Sequence, residues 1–509
     1  MQPVVEQVRA WADPRIFALV RLVGRLDVSG FEAGYRADGV GGVPYDPRLM
    51  LVTVFWCYRQ GRRSPQEMAR MCREQVSLRV VWQRDRVPSA AALRRFIGGH
   101  AEAWQRAGVS LLAMCERAGL VDVSLTATDS TPMAAPAALS TTLPAPRITV
   151  LIDEAEQRLA GLRTRLIGLA DHDPAAFIEH CGRLYRAEQL LLVRLERLHR
   201  AETRARELAG RRRENDPSSV QRWQARVDKH AADLATMTDK QNQKVAAYQA
   251  KVAAGRKPRG PAPRPAEQHP HIRQKTDALH NAQTRLAAAR TTATPRDGPA
   301  GQASTTDPHS RILKGKNTVR WVLGRLLTLT VTNSQIILAG LLSPAGNDYP
   351  GLFPNLAATA TTCQQAGITQ PFGYHLADSG FACTHALSTP APIPGTLLIC
   401  VTNEHHQTRH TNTNTNTNTN TNTNTNTNGP EHRRQMAERL NTPENRARYR
   451  RRTPMIEPVF AHLLHTDRHL HTRGNAQHTE VLALTTAHNT TKYLNSQHPP
   501  KPPNQHLDN

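Results

Sequence analysis

The chain has 509 residues, a formal net charge of +23, 39% hydrophobic and 5% aromatic residues, and 35 prolines. That length admits two or three domains, and the composition places parts of the chain outside any core. The charge points to partners rather than to fold, with nucleic acid first and an anionic membrane surface second.

Residues 1–120 read as helical. "YDPRLMLVTVFWCYRQG" spaces Leu49, Val52, Phe55 and Trp56 as one helix face. "SPQEMARMCREQ" offers Ser64 as N-cap, Pro65 at the first helical position and Glu67 to close a capping box. "PSAAALRRFIGGH" starts at Ser89, stops at Gly98 and exposes Arg94 and Arg95. Short capped helices with exposed arginines fit a helix-turn-helix-like module, or a plain bundle with a solvated basic face.

A strand follows at 121–133. Val121, Val123, Leu125 and Ala127 make an apolar face that ends on Asp129. From about 147 to 250 the pattern is long helix, with Leu184, Leu191, Leu195 and Leu198 in heptad-like spacing. "GRKPRGPAPRPAEQHP" is a basic Pro-rich linker, and a short helix comes after it. Beyond residue 310 the period shortens: "SRILKG", "WVLGRLLTLTV" and "QIILAGLL" read as strands, and "GLFPNLAATATTCQQAG" as a helix. In "PFGYHLADSGF" the alternate residues Phe372, Tyr374 and Leu376 end on Asp378, in the same phase as the first strand. Residues 411–428 are nine Thr-Asn repeats, which build no core. A strongly basic helical stretch, 441–464, carries Glu457, and 465–509 is polar with a short helical piece near "VLALTTAHNTTKYL".

No run reaches the roughly 20 apolar residues of a membrane span, and no charged-then-apolar leader opens the chain. Seven scattered cysteines form no Cys-x-x-Cys pair, which argues against a zinc site and a disulfide framework and for a reducing cytoplasm. A lone Asp at a strand end is commonly a turn former. Two in phase on neighbouring strands would bring their carboxylates together, and such a pair needs a counter-ion. Magnesium suits oxygen ligands, and two ions roughly 3.5–4 Å apart can activate water and stabilise a leaving oxygen. Glu457 is the natural third carboxylate.

The order of "YDPRLMLVTVFWCYRQGRRSPQEMARMC", "LTATDSTPMAA", "TTDPHSRILKG", "FGYHLADSGF", "YRRRTPMIEPVFAHL" and "LALTTAHNTTKYL" resembles the DDE-type insertion-sequence transposases of bacteria. The resemblance covers most of the chain and is specific at "TDS", "LADSGF" and "YRRRTPMIEPVF". It implies an α/β ribonuclease H-like catalytic core with a mixed sheet, an all-α N-terminal domain and a long helical or coiled-coil insertion. The implied division is 1–120 for DNA binding, 121–140 with 305–464 as the core, and 141–304 as the insertion. Within the core, 403–432 is a low-complexity loop, and 465–509 is a polar tail. Asp129, Asp378 and Glu457 would be the catalytic, metal-binding triad for two Mg²⁺ or Mn²⁺ ions. Arg94, Arg95, Tyr449 and Arg452 would contact DNA, although a solvated basic face also fits the last two. Where the family often carries a Lys beyond the glutamate, this chain has Leu464.

The implied activity is metal-dependent cleavage and strand transfer at terminal inverted repeats, with double-stranded DNA as partner, no membrane, and a homo-oligomer on DNA. The protein would work in the bacterial cytoplasm at the nucleoid. The alternatives are a decayed copy that only binds DNA and a basic helical DNA-binding regulator.

Overall fold

The computed structural model describes residues 12–33, 43–83, 86–215, 219–255, 260–291, 301–314, 321–343, 345–401 and 431–497. The Thr-Asn repeats therefore lie outside the described residues.

Two compact units emerge: 1–141 with 306–509, and 142–305. Among the described residues the first opens with the helices α1 (Pro14–Val23), α2 (Ser29–Glu32), α3 (Pro47–Arg59), α4 (Pro65–Glu74), α5 (Val76–Trp82), α6 (Ala90–Gly99) and α7 (Ala101–Arg117). Asp46 caps α3 by accepting from Arg48 N at 2.7 Å, ahead of Pro47 at the first helical position. Ser89 caps α6 through Ala92 N. Two local expectations fail. Ser64 makes no cap bond to α4, and Glu67 turns instead to Arg62 at 3.3 Å. Gly98 does not stop α6; it admits a neighbouring helix, since a Cβ there would lie 2.9 Å from that of Ala476.

Strand β1 (Leu125–Ala134) then enters the sheet. The excursion 142–305 comprises β2 (Thr142–Pro144), α8 (Ala145–His172), α9 (Pro174–Asn215), α10 (Ser219–Ala253), α11 (Pro270–Thr291) and β3 (Gln302–Ser304). Asp173 ends α8 and caps α9 by accepting from Ala176 N at 2.9 Å, which turns the two helices into a hairpin. Their seam buries Ile148, Ile152 and Leu159 of α8 against Leu195, Leu198, Ala201 and Ala205 of α9. Leu184 and Leu191 of the leucine series are only half-buried.

Back in the first unit come β4 (Arg311–Lys314), β5 (Trp321–Thr332), β6 (Ile337–Leu342), α12 (Leu352–Gln365), β7 (Tyr374–Ala377), α13 (Thr384–Ser388), β8 (Thr396–Ile399), α14 (Glu431–Asn441), α15 (Pro443–Arg450), α16 (Arg452–Leu464) and α17 (Ala476–Gln497). The sheet runs β4-β5-β1-β7-β8, with β6 also on β5. Pairings among β4, β5, β6 and β1 are antiparallel, whereas β1, β7 and β8 are parallel. This is a mixed sheet in a largely helical chain. Gly373 lets β7 start beside β1, because a Cβ there would sit 2.2 Å from Ser124 O.

One apolar cluster joins residues of α1–α7, the sheet, α16 and α17. Residues 1–120 therefore share their core with the sheet instead of forming a domain of their own. The polar tail expected at 465–509 is corrected over its described residues, which end at 497. Backbone at 468–470 bonds both ways to Ala134 at the end of β1, and α17 is buried along most of its length against α3, α6, α7 and β6. Its polar groups find partners. Asn489 exchanges two bonds with the backbone of Ile337 (2.9 and 2.8 Å), Gln477 donates to buried Asp307 (2.7 Å), and His488 Nε2 donates to Gln335 O (2.9 Å). Glu480, 2% exposed, accepts from His471 N, Thr472 N and Thr472 Oγ1.

Candidate catalytic carboxylate site

The parallel register decides where the two aspartates go. β1 pairs with β7 from Leu125↔Tyr374 to Thr128↔Ala377. Asp129 and Asp378 are the next residues on each strand, so they emerge side by side where the pairing stops. Leu125 and Ala127, in step with Asp129, and Leu376, in step with Asp378, lie in one apolar cluster. Ala377, out of step, lies in another under α12. Both acids therefore stand at the carboxyl end of a parallel strand pair, on the same face of the sheet. The expectation that Asp129 ends its strand needs correcting: β1 begins at Leu125 and continues to Ala134, with Asp129 opposite Leu329 of β5. What ends there is the pairing with β7.

Arg452, the first residue of α16, completes the pair. Its Nη1 lies 3.0 Å from Asp129 Oδ2 and its Nη2 3.3 Å from Asp378 Oδ1. One guanidinium thus ties together two carboxylates that would otherwise repel, with its planar fork split between them. Asp129 also accepts from Ser130 N at 2.7 Å. Burial pushes the Asp129 carboxyl up to about 6, Arg452 draws it down, and Asp378 adds to the rise. Burial opposes the charge on Arg452, but Asp129, Tyr449 and Asp378 together hold its pKa above the ordinary value.

Tyr449 supports the site from behind. Its hydroxyl donates to Ala377 O at 3.0 Å, at the last residue of β7 before Asp378. Burial raises its pKa, so the hydroxyl stays a donor. Tyr449 and Arg452, read from sequence as DNA contacts, are thus engaged inside the protein, on the backbone of β7 and on the carboxylates. Neighbouring basic residues are divided. Arg448 stacks 4.3 Å from the ring centre of Tyr374, and Arg433 donates to Val401 O at 2.9 Å, but Arg446, Arg450 and Arg451 are exposed. Arg94 and Arg95 are exposed on α6, whose opposite face buries Leu93, Phe96 and Ile97.

Glu457 is not brought to the pair. Five residues after Arg452, it lies about 140° around the helix axis from it. The inward face of α16 is taken by Met455, Ile456 and Val459, and Glu457 is exposed. Among the described residues no hydrogen bond or ion pair joins it to Asp129 or Asp378, and no group of three or more His, Cys, Asp or Glu is set to hold a metal ion. Leu464 is buried in the core, where a lysine ammonium would lose its hydration.

The acid that does approach is Asp348, which sequence reading passed over. Burial and the nearby Asp378 raise its pKa, and a hydrogen bond with the Ser130 side chain lowers it. Gly380 makes room for it: a Cβ there would fall 2.6 Å from Asp348 Oδ2. "NDYPG" signals only a turn, so nothing local distinguishes Asp348 from a turn former. His375, beside the site, is structural. Its Nε2 donates to Pro394 O and its Nδ1 accepts from Thr126 Oγ1, both at 2.7 Å.

Asp129 and Asp378 fit a hard divalent ion in donor type and charge, and the guanidinium of Arg452 marks where the pair takes a cation. No helix among the described residues is long and apolar enough to cross a membrane. No protein-family model, curated protein or solved structure matches the chain.

Proposed function

We propose that the chain is a DNA transposase of the DDE type, with a ribonuclease H-like core, acting on the ends of its own element at the bacterial nucleoid. The observation that carries this reading is the in-register pair Asp129 and Asp378 at the end of a parallel ladder, bridged by one half-buried arginine. A strand-borne acid pair of this kind suits phosphoryl transfer, and exposed Arg446, Arg450 and Arg451 lie close in sequence to Arg452 for a phosphate backbone to meet.

Asp129 and Asp378 would hold Mg²⁺ or Mn²⁺, which supplies a metal-activated water and a stabilised leaving oxygen when bound. Arg452 holds the two carboxylates together and offsets part of the burial that raises the Asp129 carboxyl, and Tyr449 fixes the strand end that presents Asp378. Glu457 belongs to this reading as the third acid only if α16 turns when DNA or metal binds. Assembly of several copies on two DNA ends is part of the same proposal.

Glu457 on the outer face of α16 favours a second reading, a copy that binds DNA without cutting it. One experiment separates the two. Duplex DNA carrying the sequences that flank the gene is incubated with the protein and Mg²⁺ or Mn²⁺, wild type beside Asp129→Asn and Asp378→Asn. The transposase reading expects end cleavage by the wild type, loss of cleavage in both variants, and unchanged DNA binding. Binding without cleavage by the wild type supports the second reading. Cleavage by Asp129→Asn sinks the site assignment.

A further inference from the structure

The 142–305 unit carries a cationic cleft that the carboxylate site does not use. It opens between α10 and α11 with a volume of about 590 Å³. Trp223, half-buried on α10, forms its aromatic wall. Arg226, one turn further along the same helix, holds its guanidinium carbon 4.8 Å from the Trp223 ring centre. Arg285 reaches the same ring from α11, at 5.2 Å. Lys229 follows on α10 and also lines the cleft.

Among the described residues these charges are only partly balanced. Asp233, an acid in the lining, is held by Lys275 at 2.7 Å, and its carboxyl lies below the ordinary range because of that bond. Among the described residues, Arg226, Arg285 and Lys229 have no carboxylate within ion-pair distance. Two guanidinium groups gathered on one indole repel each other, and the ring's negative face offsets only part of that repulsion. An anion between them would offset the rest, and a phosphate oxygen suits the planar donor fork.

The occupant can be narrowed further. Both guanidinium groups sit on the Trp223 ring, so the ring is not free to stack on an unpaired base, which disfavours single strands. A helix that seats itself in a lipid interface would call for apolar side chains beside the cations. The one large exposed apolar residue among the described residues of α10 and α11 is Val252, at the far end of α10.

We propose that the Trp223–Arg226–Arg285 cleft, with Lys229, docks the phosphate backbone of duplex DNA. This gives the helical unit a sequence-independent DNA contact of its own. The inference rests on the reading of the chain as one that acts on DNA. Its test uses the full chain and a labelled 30-base-pair duplex of arbitrary sequence, with anisotropy measured across a salt series.

Arg226→Gln with Arg285→Gln should weaken binding about 10-fold at low salt. It should also flatten the plot of log affinity against log salt by about 2, since each phosphate contact contributes about 0.9. Arg226→Lys with Arg285→Lys should keep the wild-type slope. Trp223→Phe should weaken binding and leave the slope alone, because it removes support and not charge. Circular dichroism and a melting curve check that each variant folds. Wild-type affinity and slope in a folded double Gln variant overturn the cleft and leave the transposase reading standing. A wild type that binds no duplex overturns both. Loss of single-strand binding alone in the double Gln variant overturns the duplex assignment.

Discussion

Helix α17 is no richer in hydrophobic residues than helix α9, yet α17 is enclosed and α9 lies largely in the open. In α9 burial follows the pattern: Leu195, Leu198, Ala201 and Ala205 form a stripe facing α8, and Ile178, Tyr185 and Leu190 are left outside. In α17 burial runs nearly all the way round, through Thr479, Glu480, Thr486, His488, Asn489 and Thr490 as well as Val481 and Leu484. The difference lies in partners. A polar side chain can be buried where another segment supplies its hydrogen bonds, and those segments are distant in sequence. Asn489 finds the backbone of Ile337, Gln477 finds Asp307, and Glu480 finds the turn at His471 and Thr472. Periodicity detects the stripe and is blind to the network.

The sharpest way to break this contrast is Glu480→Ala. It leaves the amides of His471 and Thr472 without their acceptor in a buried turn, which should cost about 3 kcal/mol or more. A melting curve should show the unit of 1–141 and 306–509 destabilised by several degrees. An unchanged transition would mean that the network is ornamental. Leu198→Ala, in the stripe, should cost about 2–4 kcal/mol through its cavity. That loss should appear only in the transition of residues 142–305, followed by hydrogen exchange on α8 and α9.

The smallest effect is expected at Asp129 and has the opposite sign. Its folded value of about 6 stands above the ordinary 3.8, so the folded state binds the proton more tightly than the unfolded chain does. Below pH 3.8 both states are protonated and nothing is lost. Between 3.8 and 6 stability falls as pH rises, and above 6 the full penalty, on the order of 1–3 kcal/mol, is in place. Asp129→Asn escapes it. Chemical denaturation should therefore show the variant gaining on the wild type between pH 4 and pH 7.5. A difference that does not change with pH would rule out the buried, ionised carboxyl.

Much of the sheet could be read from alternation. The strands over Trp321–Thr332 and Ile337–Leu342 stand where branched and apolar residues cluster, and Asp129 and Asp378 share a phase because a parallel register preserves it. The centre of the site was less legible. Arg452 belongs to a run of arginines, and nothing local says which one turns inward; the choice is made by Met455, Ile456 and Val459, which seat the helix on the sheet side. The same seating carries Glu457 outward. Asp348 was hidden because its approach depends on Gly380 and Ser130, neither of which is near it in the chain. A short helix is legible within α17, but its burial is not, because composition counts polar atoms and not their partners.

Helical unit 142–305 begins and ends on one short ribbon, in which Thr142 faces Ser304 across an antiparallel pair. Facing residues in such a pair hold their Cα atoms about 4.5–5.5 Å apart. The chain therefore leaves and returns through a doorway one strand spacing wide, whatever length of helix lies between. Ala303 of β3 packs in the α8–α9 seam, so those two helices brace the doorway, whereas length gained or lost in α10 and α11 leaves it as it is. The stretch that brings Tyr374 beside Leu125 has no such licence. One residue gained or lost there turns Asp378 to the other face of the sheet, and a lineage that lost the pair in this way would keep its helices and forfeit its acids together.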